Sequence, residues 1–196
     1  MGKESPPKDA LTFRPATISE WPDLQALFAE KGPQNGCWCM YWRLKRADFH
    51  RCFGEQNKAG LQQIIESGRV PGILAYHEGQ PIGWCSIAPR EEFPALDRSP
   101  TLKRADNEPV WSIVCFFVAR QYRDRGLTSA LIEAGIEYAK ENGARIVEAY
   151  PLIPENTRYP QYERYTGVIS TFEKIGFEVV VQRSPRRAIM RYSIRD

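Results

Sequence analysis

The chain has 196 residues, of which 26% are charged and 42% are hydrophobic, and its formal net charge is +3. This length fits one domain with a sizeable core. The mild positive charge suits a small polyanionic ligand but falls short of the basic surface of a duplex-binding protein, so we expect no nucleic-acid partner.

The polar first residues, the length of the apolar runs and the cysteine count together predict a compartment for the protein. Residues 1–10 are polar and are expected to form a flexible leader, with a single domain over residues 11–196. No apolar run reaches the length of a membrane span, so no membrane partner is expected. Five cysteines, an odd number in a chain without a secretory signal, favour a reduced compartment. We therefore predict a cytoplasmic protein.

The first part of the chain predicts a strand and then a helix. Residues 11–17 have strand character, and Ser19 is placed to cap a helix that stops at Gly32. Residues 34–70 contain helical patches interrupted by two glycines, Gly54 and Gly60. No single element is predicted there.

The middle of the chain is clearer. Residues 72–77 and 81–88 flank a turn and predict a hairpin, followed by an acidic loop. Residues 110–118 are nearly all apolar, as expected for a central strand covered on both faces. A helix with apolar residues at helical spacing follows and ends near Asn142.

The last part predicts a strand at residues 145–150, a loop, a helix at 167–175 and a final hairpin from 177–181 and 188–194. The alternation of strands and helices predicts an α/β (α+β) fold. Apolar residues alternate in the final hairpin. They would either pair across a homodimer or close the sheet of the domain itself, and the sequence leaves both open.

The turn between the central strand and the next helix has the layout of a pyrophosphate site. A helix N-terminus offers unpaired backbone N–H groups and the positive end of its dipole, and Gly126 lets the backbone approach a ligand closely. Arg120, Arg123 and Arg125 add planar charged donors that match phosphate oxygens.

Two segments together resemble a known family. Residues 123–128 are similar to motif A of the GNAT superfamily of acyl-CoA-dependent N-acyltransferases, Arg/Gln-x-x-Gly-x-Gly/Ala, except that Thr128 takes the place of the last small residue. Residues 172–177 match the family's Phe-Tyr-Glu-Lys-x-Gly-Phe segment. The resemblance implies a central mixed, mostly antiparallel twisted sheet, flanked by helices and splayed between its fourth and fifth strands.

The resemblance also implies a cofactor and its site. Acetyl-CoA, or CoA, would be the co-substrate, and no metal is expected. In the family, the fourth strand binds the pantetheine arm through its backbone, which here points to Phe116, Phe117 and Val118. The pyrophosphate would contact Arg123, Asp124, Arg125, Gly126, Leu127, Thr128 and Ser129.

The acid and the base are harder to assign. Many members of the family protonate the leaving sulfur with a Tyr where this chain has Phe172. Tyr165, seven residues earlier, is the candidate replacement, with Ser170 nearby. Glu148 is the candidate base, because a carboxylate in an apolar strand either faces the cleft or pairs with a partner such as an Arg. The remaining base candidates are Glu91, Glu92 and His77.

The acceptor pocket is expected in the aromatic and sulfur-rich segment 37–42. Trp38, Tyr41, Trp42 and Trp84 are the candidate pocket residues. The alternative is a hydrophobic plug under the first helices. A zinc site formed by Cys37, Cys39, His50 and Cys52 is disfavoured by its ligand spacing.

Two functions remain. The first is an N-acetyltransferase that acts on a primary amine of a small molecule or peptide. The second is a CoA-binding or acyl-CoA-binding sensor or interaction module with little catalysis. Nonspecific RNA binding by the arginines of residues 183–191 would give a steep salt dependence and is not expected.

Overall fold

The computed structural model describes residues 10–29, 36–154 and 161–195, so residues 1–9 of the predicted leader lie outside it. The strands are β1 Leu11–Pro15, β2 Ile73–His77, β3 Gln80–Pro89, β4 Trp111–Val118, β5 Ile146–Ala149, β6 Glu178–Ser184 and β7 Arg187–Ser193. The helices are α1 Trp21–Ala29, α2 Arg46–Arg51, α3 Glu55–Glu66, α4 Pro94–Asp97, α5 Leu127–Glu141 and α6 Ile169–Glu173. Short 3-10 turns lie at Ile18–Glu20, Arg90–Glu92, Arg120–Tyr122 and Gln161–Thr166.

The strands form one seven-stranded sheet in the order β1-β2-β3-β4-β5-β7-β6. β4 and β5 run parallel, and the other neighbouring strands run antiparallel. The predicted mixed, mostly antiparallel sheet is confirmed. β4 lies in the middle of the sheet with helices over both faces, which explains why its sequence is almost wholly apolar.

The core has two parts, one on each face of the sheet. One contains the buried residues of α1, α3 and the segment around Met40, and the other contains those of α5 and α6. Neighbouring residues of β4 serve opposite faces, because strand side chains alternate: Phe117 packs on the α1 face and Phe116 on the α5 face.

The start of the first helix differs from the prediction. The cap is Thr17, whose side chain accepts a hydrogen bond from the Ser19 N–H, and Glu20 completes a capping box. The prediction of Ser19 was wrong because a 3-10 turn precedes α1 and moves the capping position upstream. The predicted stop of this helix, Gly32, lies outside the described residues.

The region without a predicted element contains two helices, α2 and α3. Gly54 has a φ of 93° and lies at the N-cap of α3, so this glycine does separate the two helices. Gly60 lies inside α3, where a Cβ would come within 3.1 Å of the Met40 methyl group. Close packing of Met40 against the helix accounts for a glycine at that position.

The parallel pair β4–β5 is short. Only Trp111, Ser112 and Ile113 of β4 pair with β5, opposite residues 147–149. On its other side β4 pairs with β3 as far as Val118. The half of β4 from residue 114 to 118 therefore diverges from β5, and that edge of the central strand is open to another partner.

A buried ionic cluster lies at the junction of β4 and β5. Glu148 is 1% exposed; its Oε1 accepts hydrogen bonds from Arg90 at 2.6 Å and from the Tyr150 hydroxyl at 2.7 Å. Its Oε2 accepts a hydrogen bond from Arg191 at 2.9 Å. Tyr150 also bonds the hydroxyl of Ser112 at 2.7 Å, across to β4. Two arginines thus compensate the burial of this carboxylate.

The same arginines hold the long β3–β4 connection against the sheet. Arg90 donates to the Asp97 carboxylate at 2.8 Å and to the Leu102 carbonyl at 2.9 Å. Arg191 donates to both carboxylate oxygens of Asp106, and this hydrogen bonding lowers the pKa of Asp106 from 3.8 to about 2. The connection is therefore attached to β5 and β7 by charged contacts.

We expect Glu148→Gln to lower the free energy of unfolding by about 3–5 kcal/mol, because it leaves two arginines facing a neutral group. The matched control is Glu55→Gln, since Glu55 is 88% exposed and pairs with Lys58 at 3.8 Å. The control is expected to change stability by about 0–1 kcal/mol. Urea denaturation measures both. Wild-type stability in Glu148→Gln combined with a large loss of turnover would instead favour the base assignment.

A second prediction concerns Gly72, which precedes β2. A Cβ on Gly72 would lie 2.2 Å from the Cys85 carbonyl oxygen and 2.7 Å from the Trp84 ring. We expect Gly72→Ala to lower the free energy of unfolding by about 1–3 kcal/mol, since backbone and a buried ring have to move. Gly60→Ala is the control, because only a flexible methyl group has to yield and alanine favours the helix. Equal stability of the two variants in urea would contradict the close approach at Gly72.

Candidate active site

The N-terminus of α5 forms a cradle of backbone groups. Gly126 is the N-cap, with φ 77° and ψ 0° in the left-handed region, which favours glycine. It carries no side chain to cap the helix, so the N–H groups of Leu127 and Thr128 point out of the helix start. A Cβ on Gly126 would meet nothing within 4 Å, so the space around that position is open. These features fit an anionic group such as a diphosphate.

The loop that leads into the cradle is held by its own side chains. Arg123 donates from Nε to the Val118 carbonyl at 2.9 Å, which closes the loop onto the end of β4. Asp124 has a φ of 59° and is exposed. The left-handed conformations of Asp124 and Gly126 turn the backbone sharply before α5 begins.

Tyr122 connects this loop to the β2–β3 hairpin. Its hydroxyl lies 3.2 Å from Nδ1 of His77, and the Arg125 guanidinium lies over its ring at 5.8 Å. His77, one of the candidate bases, is thus placed beside the cradle loop. No local pattern in the sequence indicates this contact, because the two residues are separated by 45 positions.

The strand residues predicted to bind the pantetheine arm lie where β4 has left β5. Phe116 packs near Phe172, at 6.2 Å between ring centroids, and Phe117 packs against Phe28 at 5.7 Å. Both side chains are buried on opposite faces, and Val118 is half-buried. What these residues offer a ligand is their backbone, along the edge that diverges from β5.

The position of the family's tyrosine is part of the core. Phe172 is 0% exposed, and its ring lies 5.0 Å from that of Phe177. Tyr165 lies in the 3-10 turn that packs against β4 and is half-buried beside the α1 face. Burial raises the pKa of Tyr165 above its ordinary value, so the phenol keeps its proton. Ser170 is exposed in α6.

Arg187 is a residue of this region that sequence reasoning missed. Its guanidinium lies 5.9 Å from the centre of the Tyr165 ring and donates to the Thr166 hydroxyl at 2.8 Å and to the Tyr150 carbonyl at 3.0 Å. It therefore joins β7, the end of β5 and the turn that carries Tyr165. A single arginine in a basic hairpin gives no sequence signal for such a position.

The four candidate bases all have partners. Glu148 contacts two arginines, as described above, which is the arrangement that the sequence analysis gave as the alternative to a cleft-facing carboxylate. Glu92 contacts Arg43 at 2.8 Å and Arg69 at 3.1 Å. Glu91 contacts Arg104 at 2.7 Å, and this hydrogen bond lowers the pKa of Glu91. The geometry brings none of these carboxylates to Tyr165 by a direct contact, and the base assignment stays a prediction.

The four candidate pocket residues divide into two pairs. Trp84 is 0% exposed and Trp42 is 8% exposed, so both belong to the core on the α1 face. Trp38 is half-buried against Phe28, and Tyr41 is 37% exposed. The segment thus acts largely as the hydrophobic plug considered above, with Trp38 and Tyr41 at its accessible border.

One cysteine of this segment, Cys39, packs in the core. Cys39 is buried, with its sulfur 3.5 Å from that of Cys115 and 3.2 Å from the Trp84 indole nitrogen. Within residues 10–29, 36–154 and 161–195, no group of three or more His, Cys, Asp or Glu side chains is arranged to hold a metal ion.

The arginines near the C-terminus are engaged within the protein. Arg183 donates to the carbonyls of Lys103 at 2.7 Å and Arg104 at 3.1 Å, and Arg191 contacts Glu148 and Asp106 as described.

Among the helices of the described ranges, none combines the length and the apolar character that crossing a bilayer requires.

Three solved structures share the fold at low identity. PaiA N-acetyltransferase of Thermoplasma acidophilum, in complex with coenzyme A, has a TM-score of 0.53 and 14% identity, covering 94% of this chain and 99% of that chain. NAA60 of Arabidopsis thaliana, in complex with acetyl-CoA, has a TM-score of 0.51 and 17% identity, covering 94% and 99%. Ribosomal-protein-alanine N-acetyltransferase of Brucella melitensis has a TM-score of 0.51 and 19% identity, covering 93% and 99%.

A comparison with curated proteins gives no match. The model of the Acetyltransferase (GNAT) family matches residues 21–167, which is well over half of the chain. The seven-stranded sheet with its diverging β4 and β5, the glycine-capped helix after β4 and this match agree: the protein belongs to the GNAT acetyltransferase family.

Proposed function

We propose that the protein transfers the acetyl group of acetyl-CoA to a primary amine of a small molecule or peptide. The observation that carries the proposal is the combination of an open edge on β4 with the uncapped N-terminus of α5 directly after it. The two features together offer a continuous row of backbone donors and acceptors for an extended, phosphorylated cofactor. Two of the similar structures were solved with CoA or acetyl-CoA, which supports this choice of cofactor.

The cradle and β4 would bind different parts of the cofactor. The pyrophosphate would lie at the α5 N-terminus, where the backbone N–H groups and the helix dipole favour negative charge. Its predicted contacts are Arg123, Asp124, Arg125, Gly126, Leu127, Thr128 and Ser129. The backbones of Phe116, Phe117 and Val118 would bind the pantetheine arm, with one N–H directed at the thioester oxygen, where negative charge develops during transfer.

Tyr165 is our candidate for the acid that protonates the departing thiolate. Its phenol is protonated because burial raises its pKa, and the turn that carries it packs against β4. Phe172 has no proton to give and is enclosed by other rings. The Arg187 guanidinium near the Tyr165 ring opposes the effect of burial, because a positive charge favours the phenolate that remains after proton transfer.

The acceptor would approach from the side of Trp38 and Tyr41, the two accessible residues of the aromatic segment. The Brucella relative is named for acetylating an alanine of a ribosomal protein, which is compatible with a peptide amine but selects no acceptor for this chain. The five free cysteines agree with action in a reduced compartment, and we propose the cytoplasm.

One observation favours a second candidate function. Phe172 replaces the residue that many relatives use as the acid, and it is fully buried. A GNAT-fold protein that binds CoA or an acyl-CoA with little turnover, as a sensor or interaction module, would need no acid. Acceptor-dependent release of the CoA thiol separates the two functions, because only an enzyme gives it.

We expect Gly126→Asp to weaken acetyl-CoA binding at least roughly tenfold, because it places a negative charge against the pyrophosphate. Calorimetric titration with acetyl-CoA and with CoA measures the effect. The matched control is Gly68→Asp, which has nearly the same backbone angle, φ 81° against 77°, and also open space around its Cβ position. The control tests backbone strain alone and should bind like the wild type. Failure of the wild type to bind either ligand would remove the cofactor and the enzyme proposal together.

Tyr165→Phe should lower kcat by roughly 100-fold or more if this phenol is the acid, with acetyl-CoA affinity unchanged. Tyr138→Phe serves as the control, because Tyr138 lies in α5 and packs on Trp111 of β4, away from the turn of Tyr165. Thiol release in the presence of an amine panel is the assay. Full turnover by Tyr165→Phe would reject this residue as the acid, while cofactor binding would still be tested by the Gly126 variant.

A further inference from the structure

Two cysteines meet in the core directly behind the open edge of β4. Cys39 lies in the turn before α2, and Cys115 lies in β4, beside the residues proposed to bind the pantetheine arm. Their sulfurs are 3.5 Å apart, and both residues are buried, at 3% and 5% exposure. A disulfide would need the sulfurs to approach by about 1.5 Å, to roughly 2.05 Å.

The surroundings distinguish the two sulfurs chemically. The Trp84 indole N–H donates a hydrogen bond to the Cys39 sulfur at 3.2 Å. The contact with Cys39, together with burial, raises the pKa of the Cys115 thiol well above its ordinary value. Cys39 lies in a turn and accepts the Trp84 N–H, whereas Cys115 is held within the central strand, so we assign Cys39 as the sulfur that reacts first.

The backbone at Cys39 is strained. Trp38 has a φ of 46° and Cys39 a φ of 50°, so two successive residues with side chains occupy the left-handed region. Such strain is maintained by surrounding contacts and is relieved when the segment moves. A shift of the turn that carries Cys39, once its sulfur is modified, would therefore release backbone strain.

We propose that Cys39 and Cys115 form a two-thiol oxidation site for a small peroxide. The Cys39 sulfur attacks one oxygen of hydrogen peroxide, the O–O bond breaks, and the hydroxide that leaves takes the proton of the Cys39 thiol to become water. This step gives a sulfenic acid on Cys39. The Cys115 sulfur then attacks the Cys39 sulfur; the S–O bond breaks, and the Cys115 proton leaves with the hydroxyl group as a second water. Two thiols are oxidised, and one peroxide is reduced.

The disulfide would displace β4, the strand proposed to bind the pantetheine arm. Cys115 belongs to the part of β4 that has no partner in β5, and a bond to Cys39 would tie it to the turn that carries Trp38. We expect the oxidised protein to bind acetyl-CoA roughly tenfold more weakly, since a displacement of about 1 Å disturbs the backbone contacts of Phe116 and Val118. This second step rests on the proposed function, whereas formation of the bond does not.

The test uses the full chain, reduced and then treated with hydrogen peroxide. We expect the protein to lose two hydrogen atoms in mass, a digest to contain one peptide pair joined through Cys39 and Cys115, and dithiothreitol to restore the reduced mass. Sulfinic or sulfonic acids without the joined pair, or a joined pair that involves Cys37 or Cys52 instead, would overturn the proposal. This mapping requires no variant and no cofactor binding.

Variants sharpen the assignment of the first sulfur. In Cys115→Ser, a reagent for sulfenic acids should label Cys39, because the second thiol is missing. Cys52→Ser is the matched control, since Cys52 is half-buried and lies outside this contact, and it should form the same joined peptides as the wild type. Labelling of another cysteine in Cys115→Ser would reject Cys39 as the reactive sulfur.

Calorimetry on the reduced and oxidised wild type tests the second step. Acetyl-CoA binding by the reduced form alone, or far more weakly by the oxidised form, supports control of the cofactor strand. Equal affinities of both forms would overturn that control. Absence of binding by the reduced form would reject the proposed function instead, and the joined peptides would still decide whether the thiols react.

Discussion

The structure depends on the divergence of β4 from β5. The two strands pair over three residues and then part, so the centre of a seven-stranded sheet contains an open edge. An unpaired strand edge inside a sheet is costly unless another group satisfies its backbone, because buried N–H and C=O groups require partners. In this protein the edge faces the α5 N-terminus and the turn of Tyr165, and these are the elements from which we built the candidate site.

The buried ionic cluster keeps that divergence in one place. Glu148 lies in the middle pair of the strand junction, opposite Ser112, and contacts Arg90, Arg191 and Tyr150. Through the same arginines the long β3–β4 connection is attached to β5 and β7. The carboxylate considered as a base thus holds two arginines and Tyr150 together at the strand junction. Replacing Glu148 by an apolar residue would leave the charges of two arginines without this carboxylate. A buried charge that loses its partner destabilises the fold.

The candidate cofactor site and Cys115 of the proposed two-thiol oxidation site lie on the same strand, β4. Residues of β4 alternate between the two faces, so Phe116 and Phe172 lie on one side while Phe117 and Cys115 lie on the other. A ligand along the open edge therefore meets backbone, and any movement of Cys115 is transmitted to the neighbouring residues of the edge. Packing in the core is dense, which makes a shift at one position felt at the next.

The sequence by itself determined the order of the seven strands and of helices α1, α5 and α6, the central position of β4 and the glycine turn before α5. These follow from local chemistry: apolar runs, helical spacing, turn residues and the left-handed angle that Gly126 takes up without strain. The family resemblance added the sheet type and the cofactor expectation. The cap of the first helix was misplaced, because a 3-10 turn and an α-helix begin with the same residue types. The tertiary structure decided the partners of Glu148, the burial of Trp42 and Trp84, the place of Arg187 beside Tyr165 and the meeting of Cys39 with Cys115. Each of these is a contact between residues distant in the chain, set by how elements pack and not by the neighbours of either residue.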